Sequence, residues 1–109
     1  MSYSVLTILP FDKQLKRLVK KFPSLKDEFA ELLESLSEMP EQGISLGNNC
    51  YKIRLAISSK GKGKSGGARV ITNIVIDDDI VYLLSIYDKS EKENLTNEEL
   101  DDLLDFVSE

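Results

Sequence analysis

The residues with the clearest chemical potential are cations grouped near the middle of the chain. The stretch Ser58–Val70, "SSKGKGKSGGARV", contains three lysines, one arginine and four glycines but no acidic residue. Lys52 and Arg54 precede this stretch, and Arg69 lies near its end. Guanidinium and ammonium groups form charge-assisted hydrogen bonds with phosphate oxygens, so these residue types suit the binding and charge stabilisation of a phosphate.

The distribution of charge along the chain supports this interpretation. The 109 residues carry a formal net charge of -5, whereas residues 42–76 contain six bases and no acid. Residues 77–109 contain two bases and twelve acids, and residues 1–41 contain six bases and seven acids. An acidic protein with one cationic band favours a localised anion site over general attraction to nucleic acid.

The sequence excludes several kinds of chemistry. It has no histidine, which removes the usual general base near neutral pH and the commonest metal ligand. Its single cysteine, Cys50, allows neither an internal disulfide nor a cysteine metal cluster. The triplet Asp77–Asp79 consists of consecutive residues that cannot all face one ion, so we expect a solvated turn there. We therefore predict no metal site and no cofactor.

Alternation of apolar and polar residues indicates that strands position the cations. From Cys50 to Ile57 apolar residues recur at every second position, which places Lys52 and Arg54 together on the opposite face. The stretches "ARVITNIVI" and "IVYLLSIY" predict two further strands joined by the turn "DDD". Neighbouring strands of a hairpin lie about 5 Å apart, so Lys52, Arg54 and Arg69 can converge on one sheet face.

The rest of the chain supplies the elements expected to support this sheet. Residues 3–9, "YSVLTIL", predict a first strand, and residues 11–22 and 25–36 carry apolar stripes typical of a helical hairpin. Thr96 and Glu99 form a capping box at the start of an amphipathic C-terminal helix. We predict one α+β domain over residues 1–109, a small antiparallel sheet with the helical hairpin on one face and a C-terminal helix.

The loop Ser58–Gly67, called here the glycine loop, has two simpler interpretations when it is considered alone. A phosphate loop of the nucleotide-hydrolase type requires a glycine five positions before Gly63, where this chain has Ser58, and a helix rather than a strand afterwards. A solvated hairpin connection is the ordinary alternative, because lysines in surface loops are usually hydrated. The neighbouring Lys52, Arg54 and Arg69 favour a functional site, since three like charges on one face repel one another.

Three motifs, "YKIR", "GKGKSGGARVI" and "YLLSIYDKSE", follow one another in the second half of the chain. Together they resemble the core of the RelE/HigB toxins of bacterial type II toxin–antitoxin systems, and in particular the HigB-like branch with a GKGKxGGxRVI loop. The resemblance extends over residues 11–107. It implies a RelE-like fold, a metal-independent endoribonuclease that cuts mRNA on the ribosome, and a cognate antitoxin protein as partner.

The resemblance also implies roles for individual residues. Lys52 and Arg54 match the Lys-x-Lys/Arg pair of the family's first central strand, and Arg69 matches the arginine after the loop. Lys89 matches the basic residue that follows the last strand. Some members use a tyrosine near the C-terminus that stacks on a base. This chain has "NLTNEE" at that place, so Tyr87 is the candidate substitute.

The chemistry expected from this resemblance uses the 2′-hydroxyl of RNA as nucleophile. Arg69 suits the equatorial oxygens of the phosphorane, because a guanidinium bridges two of them. Lys52 is the expected base, and Lys89 or Tyr87 the expected proton donor to the leaving 5′-oxygen. Glu91 is the nearest acidic candidate for a base.

Two other functions remain open from the sequence. A related branch of the same fold inhibits DNA gyrase and cuts nothing, and a simple RNA-binding module would need only the cations.

No stretch approaches eighteen consecutive apolar residues, and the N-terminus lacks the features of a signal peptide, so we expect a cytoplasmic protein without membrane contact. Three lysines are expected to bind RNA as a flexible cationic lip: Lys60, Lys62 and Lys64.

Overall fold

The computed structural model describes residues 2–61, 63 and 66–107. The strands are β1 (Ser4–Thr7), β2 (Ile44–Gly47), β3 (Cys50–Leu55), β4 (Ala68–Val75) and β5 (Ile80–Asp88). The helices are α1 (Leu9–Lys21), α2 (Leu25–Glu38) and α3 (Asn97–Leu104). Short 3₁₀ turns occupy Ser58–Lys60 and Ile76–Asp78. The helical hairpin thus follows the first strand, and α3 follows the last.

The five strands form one sheet in the order β1-β5-β4-β3-β2. Strands β2 to β5 pair antiparallel with their neighbours, whereas β1 pairs parallel with β5. The predicted α+β fold with a helical hairpin and a C-terminal helix is confirmed, but the sheet is mixed rather than wholly antiparallel. Because β1 and β5 are far apart in sequence, no tight turn requires them to run antiparallel.

Strand β2 is an element that the sequence patterns do not predict. All four of its residues are exposed, so it shows no alternation between a buried and an exposed face. It pairs with β3 through a turn at Asn48 and Asn49, both of which have positive φ angles. The first strand is also shorter than predicted, because Pro10 lies in the first turn of α1, where its missing N–H costs no hydrogen bond.

The helical hairpin covers one face of the sheet, called here the helix face. Its centre is the row of cross-strand neighbours Ile53, Val70 and Ile86, all of which are buried. Successive strand residues point to opposite faces, so Lys52 and Arg54 lie on the face away from the hairpin, as predicted. The apolar stripes of α1 and α2 join the same core through Phe11, Leu18, Leu25, Leu32 and Leu36.

Helices α1 and α3 complete the surroundings of β5. Strand β1 pairs only with Ile80–Leu83, and beyond that point Gln14 of α1 accepts a hydrogen bond from the Ile86 N–H at 3.0 Å. Helix α3 begins at the predicted capping box, in which Thr96 and Glu99 bond each other's backbone N–H groups. None of the eight residues of α3 is buried. In the described part of the chain no helix is both long and apolar enough to cross a membrane.

Candidate active site

The predicted cations meet on the sheet face opposite the helical hairpin, called here the cationic face. Arg54 pairs with Arg69, and Arg69 pairs with Tyr87, so these residues form one row across β3, β4 and β5. Lys52 lies one row away, opposite Ile71. Directly paired side chains project to the same face with Cβ atoms about 5 Å apart. The expected convergence of Lys52, Arg54 and Arg69 is therefore found, and Tyr87 joins them.

The row runs from the surface into the protein. Arg54 is exposed, whereas Arg69 keeps only 4% of its surface accessible. Nη1 of the Arg69 guanidinium donates to the Ala68 carbonyl at 3.1 Å, which holds the group against the backbone. A guanidinium fixed before the substrate arrives needs little reorganisation when it stabilises developing negative charge. Arg69 can thus act as the electrostatic centre of a phosphate site, with Arg54 at its entrance.

Tyr87 ends the row in a buried position. Its hydroxyl lies close to the Leu95 backbone but forms no hydrogen bond of good geometry with any described residue. Burial raises the pKa of Tyr87, and the charges of Arg69 and Lys92 only partly oppose that rise. The hydroxyl therefore keeps its proton at neutral pH, so it is present as a hydrogen-bond donor, and its role as proton donor in catalysis stays a prediction.

Residues 92–96, called here the cover segment, lie over the cationic face. Asn94 Oδ1 in this segment accepts a hydrogen bond from Lys52 Nζ at 3.2 Å. Lys92 pairs with Glu99 at 2.7 Å, and Leu95 packs against the hydrophobic core. No sequence pattern predicted this placement, because the segment has neither a helical nor a strand period. Among the four candidate site residues, Arg54 is exposed and Lys52 is half-buried, whereas Arg69 and Tyr87 are buried.

Lys89 lies one residue past the end of β5. Its backbone N–H donates to the carbonyl of Gly67 at 3.0 Å, and its Nζ lies 3.7 Å from Glu93. The ammonium group is partly exposed. Lys89 therefore stands beside the glycine loop, two residues from Tyr87, and its role as proton donor stays a prediction.

Lys60 lies in a different setting from the flexible lip that the sequence suggests. It ends the 3₁₀ turn Ser58–Lys60, and its ammonium pairs with the carboxylate of Asp88 and bonds Ser90 Oγ at 2.8 Å. Burial raises the pKa of Asp88, but hydrogen bonds from Lys60 and Ser90 outweigh this effect, and the pKa of Asp88 is lowered. Lys60 is thus a fixed part of the protein. Lys62 and Lys64 lie outside the described residues.

Glu91, the acidic candidate for a general base, is directed toward α1. Its carboxylate accepts hydrogen bonds from Arg17 at 3.0 Å and from Lys21 at 3.2 Å. These two hydrogen bonds lower the pKa of Glu91. Both of its oxygens are therefore engaged away from the cationic face, and the role of Lys52 as the base stays a prediction.

The remaining candidate groups have structural surroundings. In residues 2–61, 63 and 66–107, no group of three or more His, Cys, Asp or Glu side chains could hold a metal ion. Asp77 to Asp79 form an exposed turn, as expected, with Asp79 at a φ of 55°. Cys50 is buried beside Asn73 Nδ2 at 3.4 Å, and burial raises the pKa of its thiol. A buried thiol of this kind is an inert filler of the core.

Comparison with known proteins identifies one family. Residues 11–108 match the family described as the RelE toxin of the RelE/RelB toxin–antitoxin system. The matched range contains every residue of the row Arg54–Arg69–Tyr87, together with Lys52, Lys89 and the glycine loop.

Solved structures share the fold at low sequence identity. A doubly substituted mutant of the Escherichia coli toxin RelE in the free state matches with a TM-score of 0.65 at 15% identity, covering 99% of this chain and 100% of that one. The toxin–antitoxin complex RelBE2 from Mycobacterium tuberculosis gives a TM-score of 0.56 at 17% identity, covering 81% of this chain and 92% of that chain. The E. coli RelE mutant in complex with an antitoxin RelBc peptide gives 0.50 at 23% identity, covering 87% and 100%.

Proposed function

Because the chain belongs to the RelE family of toxins from toxin–antitoxin systems, we propose that it is a ribosome-dependent mRNA endoribonuclease. The observation that carries the proposal is the row Arg54–Arg69–Tyr87 with Lys52 beside it. This arrangement combines two guanidinium groups, one ammonium group and one buried hydroxyl on a rigid sheet. Charge stabilisation of a phosphorane and proton transfer to and from RNA oxygens require groups of these kinds.

The proposed reaction is an internal transfer of the phosphate within RNA. The 2′-hydroxyl attacks the adjacent phosphorus, so the O2′–P bond forms and the P–O5′ bond breaks. Lys52, as the neutral amine, takes the proton of the 2′-hydroxyl and becomes an ammonium, and Arg69 stabilises the charge on the non-bridging oxygens. Tyr87 or Lys89 gives a proton to the departing 5′-oxygen. The products are a 2′,3′-cyclic phosphate and a free 5′-hydroxyl.

The proposal includes a protein partner and a place in the cell. Two of the structural neighbours are complexes with an antitoxin, and the family is defined by such systems, so a cognate antitoxin that silences this chain in the cytoplasm is the proposed partner.

The loop motif "GKGKSGGARVI" supports the HigB-like branch. Lys62 and Lys64 keep the proposed role of RNA contacts, whereas the engaged ammonium of Lys60 supports a different role.

The test is cleavage by the purified chain of mRNA on programmed ribosomes, with cut sites mapped by primer extension. The wild-type chain is expected to cut the mRNA in the decoding site, and Arg69→Ala is expected to leave it intact at the same concentration. Uncut mRNA with folded wild-type protein would exclude the endoribonuclease. A parallel gyrase supercoiling assay would then distinguish the gyrase-inhibiting alternative from a plain RNA-binding module.

A further inference from the structure

The glycine loop between β3 and β4 is anchored to two consecutive residues that follow Tyr87. At the start of the loop, Lys60 pairs with Asp88, the last residue of β5. At its end, the carbonyl of Gly67 accepts the Lys89 N–H at 3.0 Å. Gly67 packs so closely that an added Cβ would lie 2.2 Å from a β3 backbone oxygen. The positions of Lys60 and Gly67 at the two ends of the loop are therefore coupled to those of Asp88 and Lys89.

The Lys60–Asp88 ion pair is shielded from water. The side chains of Lys60 and Asp88 are only 7% and 2% exposed. Asp88 Oδ1 also accepts the Ser90 N–H at 3.0 Å and Ser90 Oγ at 2.7 Å, while Lys60 Nζ lies 5.3 Å from the centre of the Phe22 ring. Buried charges are tolerated when they are paired and hydrogen-bonded, and such contacts restrict both groups to one geometry.

We propose that Lys60 and Asp88 form a positioning pair for the cleavage step, which sets where Lys60 and Gly67, at the ends of the glycine loop, and Lys89 stand beside the row Arg54–Arg69–Tyr87. This inference rests on the proposed function and assigns Lys60 a role through Asp88 rather than a contact with RNA. Asp88 lies between the two candidate proton donors, Tyr87 and Lys89, so a displacement of Asp88 moves both. A misplacement of about 1 Å can cost about 10²-fold in rate.

Lys21 provides the matched control, because it shares the surroundings of the pair without holding the loop. Its Nζ lies 3.9 Å from Asp88 Oδ2 and 5.3 Å from the centre of the Phe22 ring. The side chain is half exposed and belongs to α1. Removal of its charge leaves both anchors of the loop in place.

The experiment compares the wild-type chain, Lys60→Met/Asp88→Asn and Lys21→Met. The double variant removes both charges together, so that no buried charge is left without its partner. Steady-state cleavage of mRNA on programmed ribosomes gives kcat and KM, circular dichroism reports folding, and NMR hydrogen exchange reports protection of the Lys89 N–H. Hydrogen exchange needs no activity, so it tests the anchoring even if the proposed function fails.

The expected result is a folded double variant with kcat reduced about 10²-fold, KM unchanged and a faster-exchanging Lys89 N–H. Lys21→Met is expected to keep both kcat and that protection near wild type. A folded double variant with wild-type kcat, or with undiminished protection of Lys89, would overturn the positioning role. A rise in KM alone would also overturn it, because it would assign Lys60 to RNA binding.

A second variant covers the case in which the double variant does not fold. Lys60→Gln retains a donor for Asp88 but drops the charge, and it carries the same expectations for kcat, KM and Lys89 exchange. Lys60→Arg keeps the charge, and its kcat is expected to be at least about tenfold higher than that of Lys60→Gln. If lysine removal acted only by weakening the fold, no such difference would be required. Absence of that recovery in a folded Lys60→Arg would count against the pair.

Discussion

Arg69 and Tyr87 are neighbours on β4 and β5, and both are buried although each carries a strongly polar group. Burial of a hydroxyl without a hydrogen bond is unfavourable, and the Tyr87 hydroxyl forms no good hydrogen bond with the described residues. A polar group held at such a cost is typical of functional sites. A phosphate placed against this pair would receive a fixed positive charge and a hydrogen-bond donor together.

Arg69→Ala is expected to lower the rate of mRNA cleavage on ribosomes by about 10²- to 10³-fold, because it removes charge stabilisation that grows as the phosphorane forms. Arg54→Ala is expected to be nearly as severe, since it removes the second guanidinium of the row. Arg17→Ala is the control, because Arg17 pairs with Glu91 away from the cationic face. Single-turnover cleavage measures the effect, and circular dichroism checks folding. Wild-type cleavage by folded Arg69→Ala would place the chemistry elsewhere.

Tyr87→Phe separates activity from stability. The substitution removes a buried hydroxyl that lacks a good partner, so the free energy of unfolding is expected to stay unchanged or to rise by up to about 1 kcal/mol. Cleavage is expected to fall at least about tenfold, because general acid catalysis contributes 10²-fold or more. Urea denaturation and ribosome cleavage measure the two effects, with Tyr82→Phe as the control. A stabilised variant with undiminished cleavage would leave Lys89 as the proton donor.

At the scale of elements, two carboxylates attach the end of β5 and the chain that follows it to the rest of the protein, and a third forms an ion pair within that chain. Asp88 pairs with Lys60, Glu91 pairs with Arg17 and Lys21, and Glu99 pairs with Lys92. Hydrogen bonds from these cations and from nearby backbone or hydroxyl groups lower the pKa of all three carboxyls. Residues 88–99 include the cover segment, so the protonation of these groups is expected to weaken the attachment of that segment.

Acidification is expected to detach residues 88–99 before the sheet unfolds. A carboxyl whose folded pKa lies below its unfolded value, 3.8 for Asp and 4.5 for Glu, stabilises the fold above the unfolded pKa. That stabilisation is lost as the pH falls through the folded pKa, so the attachment weakens below about pH 4. Hydrogen exchange at stepped pH measures this, with Asp88→Asn as the variant that has lost part of the dependence. Simultaneous loss of protection in residues 88–99 and in β4 would contradict it.

The row of the candidate active site is predictable because its physical basis is local. Alternation from Cys50 to Leu55 fixes the face of Lys52 and Arg54, and a hairpin then brings Arg69 to the same side. The Lys60–Asp88 pair joins residues 28 positions apart, and the Lys52–Asn94 bond joins residues 42 positions apart. Contacts between residues so far apart in sequence depend on where a loop crosses the sheet. The alternation of apolar and polar residues does not predict that position.

At the scale of the whole molecule, the cationic face belongs to an acidic protein. The net charge is -5, and the acidic third of the chain, residues 77–109, includes α3 and the cover segment beside that face. Positive and negative charges therefore lie close together, because the radius of gyration of the molecule is 13.1 Å. Long-range attraction to free RNA is weak for such a protein, whereas contact at short range still favours phosphate.

Naked RNA is accordingly expected to be cut poorly, and mRNA presented by translating ribosomes to be cut well. Residual binding to single-stranded RNA is expected to weaken with salt at a log–log slope of roughly -3, which corresponds to about four neutralised phosphates. The double variant Asp101→Asn/Asp102→Asn in α3 provides the control. It reduces the repulsion between α3 and the RNA phosphates without changing the row Arg54–Arg69–Tyr87. Binding assays and primer extension across a range of salt concentrations measure both effects.

The double α3 variant should therefore improve binding and cleavage of naked RNA while leaving cleavage on ribosomes near wild type. The reason is that the ribosome holds the mRNA strand in place, so long-range repulsion by α3 no longer decides whether the phosphate reaches Arg69. Efficient cleavage of purified RNA by the wild-type chain at physiological salt would contradict this. So would a cleavage rate on ribosomes that rises as much as the rate on naked RNA, since α3 would then limit a step after the RNA has been delivered.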